Sequence, residues 1–188
     1  ISDYEERFFR IQVLGASLIT SSKGFFQNNL AVTELLVQTV SGWVAAAKPK
    51  LFLDLFSGMG LFSLLSAKAA PEIICVEESG VSLEALKMNI EEKKRSGITI
   101  REGRVENIYS ALSREKSLSE SVILMDPPRQ GLERKLALDL SRADAVRLIY
   151  ISCDIPSLAR DLSLILSGGN YQVESIVPFD MFPKTKHI

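Results

Sequence analysis

"KLFLDLFSGMGLFSL", residues 50 to 64, decides how this chain folds. Its first half is a near-continuous apolar run, the pattern of a strand covered on both faces of a parallel sheet. Asp54 falls near the end of that run, and Gly58 and Gly60 form a Gly-x-Gly turn before a helix-like stretch. Glycines at such a turn permit positive φ and let a ligand approach the backbone closely. A dinucleotide fingerprint would want a third glycine at position 63, which is Ser63.

Outward from this turn the same alternation repeats. "EIICVEES" (72–79), "GITIREG" (97–103), "SVILMDPP" (121–128), "VRLIYISC" (146–153) and "YQVESIVPFDM" (171–181) read as further strands. "LFSLLSAKAA" (61–70), "SLEALKMNIEEKKRSG" (82–97), "LERKLALDLSRAD" (132–144) and "LARDLSLILSGG" (158–169) read as helices, the last closed by a glycine pair. Strand–helix alternation predicts an α/β domain with a doubly wound, mostly parallel sheet. Before it, "RFFRIQVLGASLIT" (7–20) suits a strand or hairpin, and "NLAVTELLVQTVSGWVAAA" (29–47) an amphipathic helix. The expected organisation is one domain over 1–188, with a lead-in to about residue 48 and a Rossmann-like core over 49–188.

Composition narrows the function classes. The 188 residues, 46% hydrophobic, suffice for one substantial core. Two cysteines, Cys75 and Cys153, are too few for a disulfide framework or a cysteine-built metal site, so no metal is expected and a reducing, cytoplasmic location fits. No apolar run approaches the ~18 to 20 residues of a membrane span, so no membrane partner is expected. A net charge of −1 lacks the basic excess of a stand-alone nucleic-acid binder, so a polyanion would need a local patch or another region. The start at Ile1 suggests a piece of a longer protein.

The strand ends carry the candidate chemistry. Asp54 precedes the first turn and Glu77 closes the second strand, where a carboxylate can accept hydrogen bonds from the ribose hydroxyls of a nucleoside. With no pyrophosphate fingerprint, a cofactor with ribose but no phosphate is preferred, which is S-adenosylmethionine. The plain alternative is that Asp54 caps a helix and Glu77 faces water. A fourth strand ends in Asp126-Pro127-Pro128-Arg129. Paired prolines make a stiff exit with few backbone donors, and a guanidinium there suits stacking on a base or holding a phosphate. At the fifth strand end, "YISCDIPSLARDL" (150–162) delivers Cys153 to the sheet edge, whereas Cys75 lies inside a strand and reads as structural. Arg160 and Asp161 read as a helix-surface pair or a loop support, and Phe25 and Phe26 as core aromatics beside a helix start.

With these residues in place, the chain resembles the S-adenosylmethionine-dependent RNA uracil-5-methyltransferases, which make 5-methyluridine in tRNA and ribosomal RNA. "FFQNN" (25–29), "DLFSGMGLFSL", "VEES" (76–79), "MDPPRQGL" (125–132), "YISCDIPSLARDL" and "FDMFPKTKH" (179–187) follow the family's order. The resemblance implies a class I methyltransferase fold and an RNA substrate. It puts Gln27, Phe56, Glu77 and Asp126 at the cofactor and makes Cys153 the nucleophile. Asp54, Gly58 and Gly60 join the cofactor side, and Pro127, Pro128 and Arg129 the substrate side. His187 reads as a positioning group. Family members usually add an N-terminal RNA-binding domain, which these residues do not contain. The family's nucleophile motif reads Ser-Cys-Asn-Pro, whereas Asp154 and Ile155 follow Cys153 here and the proline comes at Pro156. The family's general-base glutamate would directly follow Ile188. Two other readings stay open: methylation of another substrate with Cys153 idle, and a non-catalytic cofactor- or RNA-binding module.

Overall fold

A computed structural model describes residues 8–181. His187 and most of "FDMFPKTKH" fall outside them. β1 (Phe8–Val13) and β2 (Ala16–Ser21) form an antiparallel hairpin, and α1 (Leu30–Ala47) follows. The core then runs β3 (Leu51–Leu55), α2 (Leu61–Leu65), β4 (Glu72–Glu77), α3 (Gly80–Lys93), β5 (Ile98–Glu102) and α4 (Val105–Glu115). It continues with β6 (Ser121–Met125), α5 (Arg134–Leu140), β7 (Arg147–Tyr150) and α6 (Ile155–Leu166). Strands β3 to β7 make one parallel sheet in the order β5-β4-β3-β6-β7.

Residue parity along each strand sorts the side chains into two cores. Phe52, Ile73, Cys75, Val122 and Leu124 pack with Leu36, Val37, Val40 and Val44 of α1 and with α2 and α3. Their strand neighbours Leu53, Leu55, Ile74, Val76, Ile123 and Met125 pack with α4 and α5 on the other face. Helices on both faces explain why these strands read as unbroken apolar runs. α1 is long and apolar enough to match a bilayer span by length and composition, contrary to the sequence expectation. Its Leu36, Val37, Val40 and Val44 stripe against the sheet accounts for that apolarity as a core helix.

The hairpin turns at Leu14 and Gly15, both at positive φ (50° and 73°), as a two-residue turn between twisted strands requires. It is fixed to the core through Asn89 of α3, which is fully buried. The Asn89 amide accepts from Ile19 N (2.7 Å) and donates to Ile19 O (2.8 Å) and Met59 O (3.1 Å). One side chain thereby joins β2 to the loop after β3. Asn89→Ala would strand three buried backbone groups, at roughly 1 kcal/mol or more each. The expected result is a melting temperature lower by on the order of 10 °C, read by thermal unfolding; a shift of a degree or two would show that water replaces the amide.

Three elements differ from the sequence expectation. Residues 171–181 form no strand: Val173, Ile176 and Val177 are exposed, and contacts at both ends and an ion pair tie the segment to the domain. Tyr171 donates to Ala143 O, Glu174 pairs with Arg147, and Phe179 and Met181 lean on the first core. Strand propensity without a paired neighbour does not make a strand. The helix after Gly60 is also shorter than expected, ending at Leu65. Conversely, α4 is unanticipated, although Val105, Ile108, Tyr109 and Leu112 fall at the i, i+3, i+4, i+7 spacing of an amphipathic helix.

Candidate active site

A doubly wound sheet opens a crevice where neighbouring crossovers leave to opposite faces, outside the carboxyl ends of its strands. Here that point lies at β3, flanked by β4 and β6. The registers align the ends: Leu55 pairs with Val76 and with Met125, and Met125 with Tyr150. Backbone bonds carry the alignment beyond the strands, from Ser57 N to Val76 O (3.0 Å), Asp126 N to Leu55 O (3.4 Å) and Ile151 N to Met125 O (2.8 Å). Glu77, Phe56, Asp126 and Cys153 therefore follow four adjacent strand ends, three strand spacings or roughly 14 Å from first to last. Gln27 stands apart: it is half-buried in the link between β2 and α1, which no strand register ties to the crevice.

The β3–α2 turn carries backbone strain. Phe56 has φ 67°, an unusual conformation for a bulky residue and one that concentrates at ligand sites. Gly58 (φ 55°) has open space where a Cβ would stand, so a ligand can reach its backbone. Gly60 does a different job. A Cβ there would lie 2.5 Å from Leu86 Cδ1, so its bare Cα serves close packing of α2 on α3.

Asp54 is fully buried under this turn. Its Oδ2 accepts from Ser63 N (3.2 Å) and Ser63 Oγ (2.5 Å), so the helix-capping alternative is half right. Its Oδ1 has no hydrogen-bond partner, alone among buried side-chain oxygens and nitrogens of the described residues. A buried acceptor left open is costly unless a ligand completes it. Burial pushes the Asp54 carboxyl up to about 7, against the pull of its Ser63 bonds. Asp126 is likewise raised to about 7 by loss of solvent, with the Asp54 charge adding to the effect.

Glu77 is less free than the sequence implies. Its Oε2 accepts from Gly58 N (2.7 Å), and its Oε1 from Glu78 N (3.0 Å) and Ser79 N (2.8 Å). A carboxylate offers about four acceptor sites, so one remains for a hydroxyl. Gripping both hydroxyls of a ribose requires a backbone donor to let go. The loop after β5 closes this side through Gly103 N to Glu77 O (2.9 Å). Beside it Arg104 pairs locally with Glu106 in the first turn of α4, and with the distant Glu133, a contact that no local motif signals.

Past β6, Pro127 is buried while Pro128, Arg129 and Gln130 face solvent, and a turn closes by Gly131 N to Pro128 O (2.8 Å). Cys153 is exposed, whereas Cys75 is buried, and burial pushes the Cys75 thiol up to about 12. Asp154, next to Cys153, serves the following helix. It caps α6, accepting from Ser157 N at 2.9 Å, and this bond holds its carboxyl below the usual range. The two aromatics split: Phe26 packs on the core, while Phe25 is 75% exposed.

Fold and crevice together define a Rossmann-like domain of the S-adenosylmethionine-dependent methyltransferase class. The family model for tRNA (Uracil-5-)-methyltransferase matches residues 3–188, and the chain belongs to that family. The tRNA (uracil(54)-C(5))-methyltransferase of Schizosaccharomyces pombe is 32% identical over 174 residues, covering 87% of this chain and 33% of that protein. An uncharacterized RNA methyltransferase of Thermotoga maritima is 34% identical over 164 residues, covering 87% of this chain and 36% of its own length. The chain thus spans about a third of the curated relatives it matches. The crystal structure of the Pyrococcus abyssi tRNA (uracil-54, C5)-methyltransferase in complex with S-adenosyl-L-homocysteine superposes with a TM-score of 0.77. It is 27% identical, and the match covers 96% of this chain and 42% of that one.

Proposed function

We propose that this domain binds S-adenosyl-L-methionine and takes part in making 5-methyluridine in RNA, with Cys153 as the nucleophile. The observation that carries the reading is an exposed thiol at the end of β7, one strand over from the Asp126-Pro127-Pro128-Arg129 loop. The Asp154 cap supports it, since the neighbouring carboxylate is occupied by the helix rather than by the sulfur.

Three features of the crevice support the cofactor reading. The open Oδ1 of Asp54 offers an acceptor to an ammonium group, Gly58 leaves room for close approach, and Glu77 retains one acceptor site for a ribose hydroxyl. The bound cofactor supplies an electrophilic methyl group. Carbon 5 of uracil is a poor nucleophile until the Cys153 sulfur forms a bond to carbon 6, which turns the ring into an enolate with carbanion character at carbon 5. After carbon 5 takes the methyl group, a base removes its proton. The electrons of that C–H bond rebuild the 5,6 double bond as the bond from carbon 6 to sulfur breaks. The resemblance assigns the base to a glutamate directly after Ile188. Arg129 stands at the mouth to stack on the base or hold a phosphate. The RNA named for the yeast and archaeal relatives is tRNA, and tRNA is the substrate to try first.

RNA containing 5-fluorouridine at the target position tests this. Fluorine at carbon 5 cannot leave as a proton does, so the full-length protein should accumulate a denaturant-resistant adduct mapped to Cys153. Methylation of RNA without such an adduct would favour a chemistry in which Cys153 is idle.

A further inference from the structure

Arg160 and Asp161 lie two turns along α6 from Cys153, and they are not a surface ion pair. Asp161 is fully buried, and its carboxylate gathers donors from three separate elements. Oδ2 accepts from Leu132 N (2.7 Å) and from the Tyr150 hydroxyl of β7 (2.7 Å). Oδ1 accepts from Arg160 Nε (2.8 Å). Arg160 Nη2 reaches on to Gln130 O (2.7 Å) and Leu132 O (3.3 Å). Gly131 sits inside this fork at φ 74°, and a Cβ there would stand 2.4 Å from Asp161 Oδ2 and 2.6 Å from Arg160 Nη2.

Gln130 is therefore held by its carbonyl, and Leu132 by both its carbonyl and its N–H. They end the turn that displays Arg129, whose charge is felt by the Asp154 cap beside Cys153. A buried carboxylate is weak support for stability, because desolvation offsets what its partners return. Fully satisfied polar networks supply fixed orientation instead.

We propose that Arg160 and Asp161 are positioning residues for the reaction. They lock the Pro128–Leu132 turn onto the helix that follows the nucleophile, so that Arg129 and the Cys153 thiol keep one spacing around the target base. The proposal rests on the reading of Cys153 given above. It assigns the pair to catalysis and RNA engagement rather than to cofactor binding, because the grip falls beyond Asp126.

The test uses Arg160→Lys, Arg160→Ala and Asp161→Asn in the full-length protein, assayed well below their melting temperatures. Arg160 is half exposed, so its variants should fold. Arg160→Ala is expected to lower kcat by at least about tenfold and raise KM for RNA, in line with the cost of ångström-scale misplacement. S-adenosylmethionine affinity should stay within about threefold, and Arg160→Lys should restore part of the loss. The iodoacetamide alkylation rate of Cys153, read by mass spectrometry of its peptide, should change by about threefold or more in Arg160→Ala, because the turn beside the thiol moves. Unchanged kcat and alkylation with only a lower melting temperature would overturn the proposal. If the wild type forms no adduct with 5-fluorouridine RNA, the nucleophile reading falls. The alkylation rates then decide the clamp alone: altered rates sustain it and equal rates end it.

Discussion

Cys153→Ala should abolish covalent capture of 5-fluorouridine RNA and lower methyl transfer on the order of a million-fold, the scale seen when a nucleophile is deleted. Cofactor affinity should hardly change, since the crevice at Asp54, Glu77 and Asp126 is built from other strand ends. The loss is large because it does not remove one contact among many. In the proposed mechanism, carbon 5 acquires the electron density that the methyl group needs only once carbon 6 is bonded to the sulfur. Cys153→Ser should be nearly as inert, because a hydroxyl is far less acidic than a thiol and a weaker nucleophile at neutral pH. Cys75 cannot substitute. It is buried in β4, and with its thiol pushed up to about 12 it stays protonated. Substantial turnover in Cys153→Ala, measured with labelled cofactor on RNA, would move the chemistry to a mechanism that spares the thiol.

The parts of this site that local chemistry determines were legible in the sequence. A strand-end acid, a glycine turn, a proline pair and a terminal thiol each leave a mark within a few residues, and sheet topology alone brings them to one edge. The parts assembled from distant segments were not legible. Asn89 reads as a helix residue until Ile19, 70 positions away, is found bonded to it. Gly60 reads like Gly58, yet Leu86 fills the space beside one and nothing fills that beside the other. Arg160 and Asp161 look like an ordinary charged pair because their partners at 130 to 132 and 150 lie in other elements. Val173, Ile176 and Val177 have strand propensity but pair with no strand among the described residues. α4 is a different case: Val105, Ile108, Tyr109 and Leu112 carry the helical period in the sequence, and that signal was overlooked.

Affinity for S-adenosylhomocysteine should rise as pH increases from 5.5 to 7.5, with protons released on binding. In the free protein burial raises Asp54 and Asp126 to about 7, so both are largely protonated at the lower pH. The unfolded chain would ionise them near 3.9. Between those values the folded state therefore holds more protons, and the stability of the free protein falls as pH rises toward 7. A ligand that brings an ammonium group to the open Oδ1 of Asp54 reverses the preference, because it favours the ionised carboxylate. Each pH unit below the raised value then costs up to about tenfold in affinity per group, giving on the order of ten- to one-hundred-fold across the window. Calorimetry in buffers of different ionisation enthalpy reads both the affinity and the proton count. Asp54→Asn should flatten the profile and weaken binding at every pH, since an amide keeps the shape but not the charge. A wild-type affinity that is flat over this range would mean that the buried carboxylate never meets the ammonium, and the placement of the cofactor's amino acid end over Asp54 would be wrong.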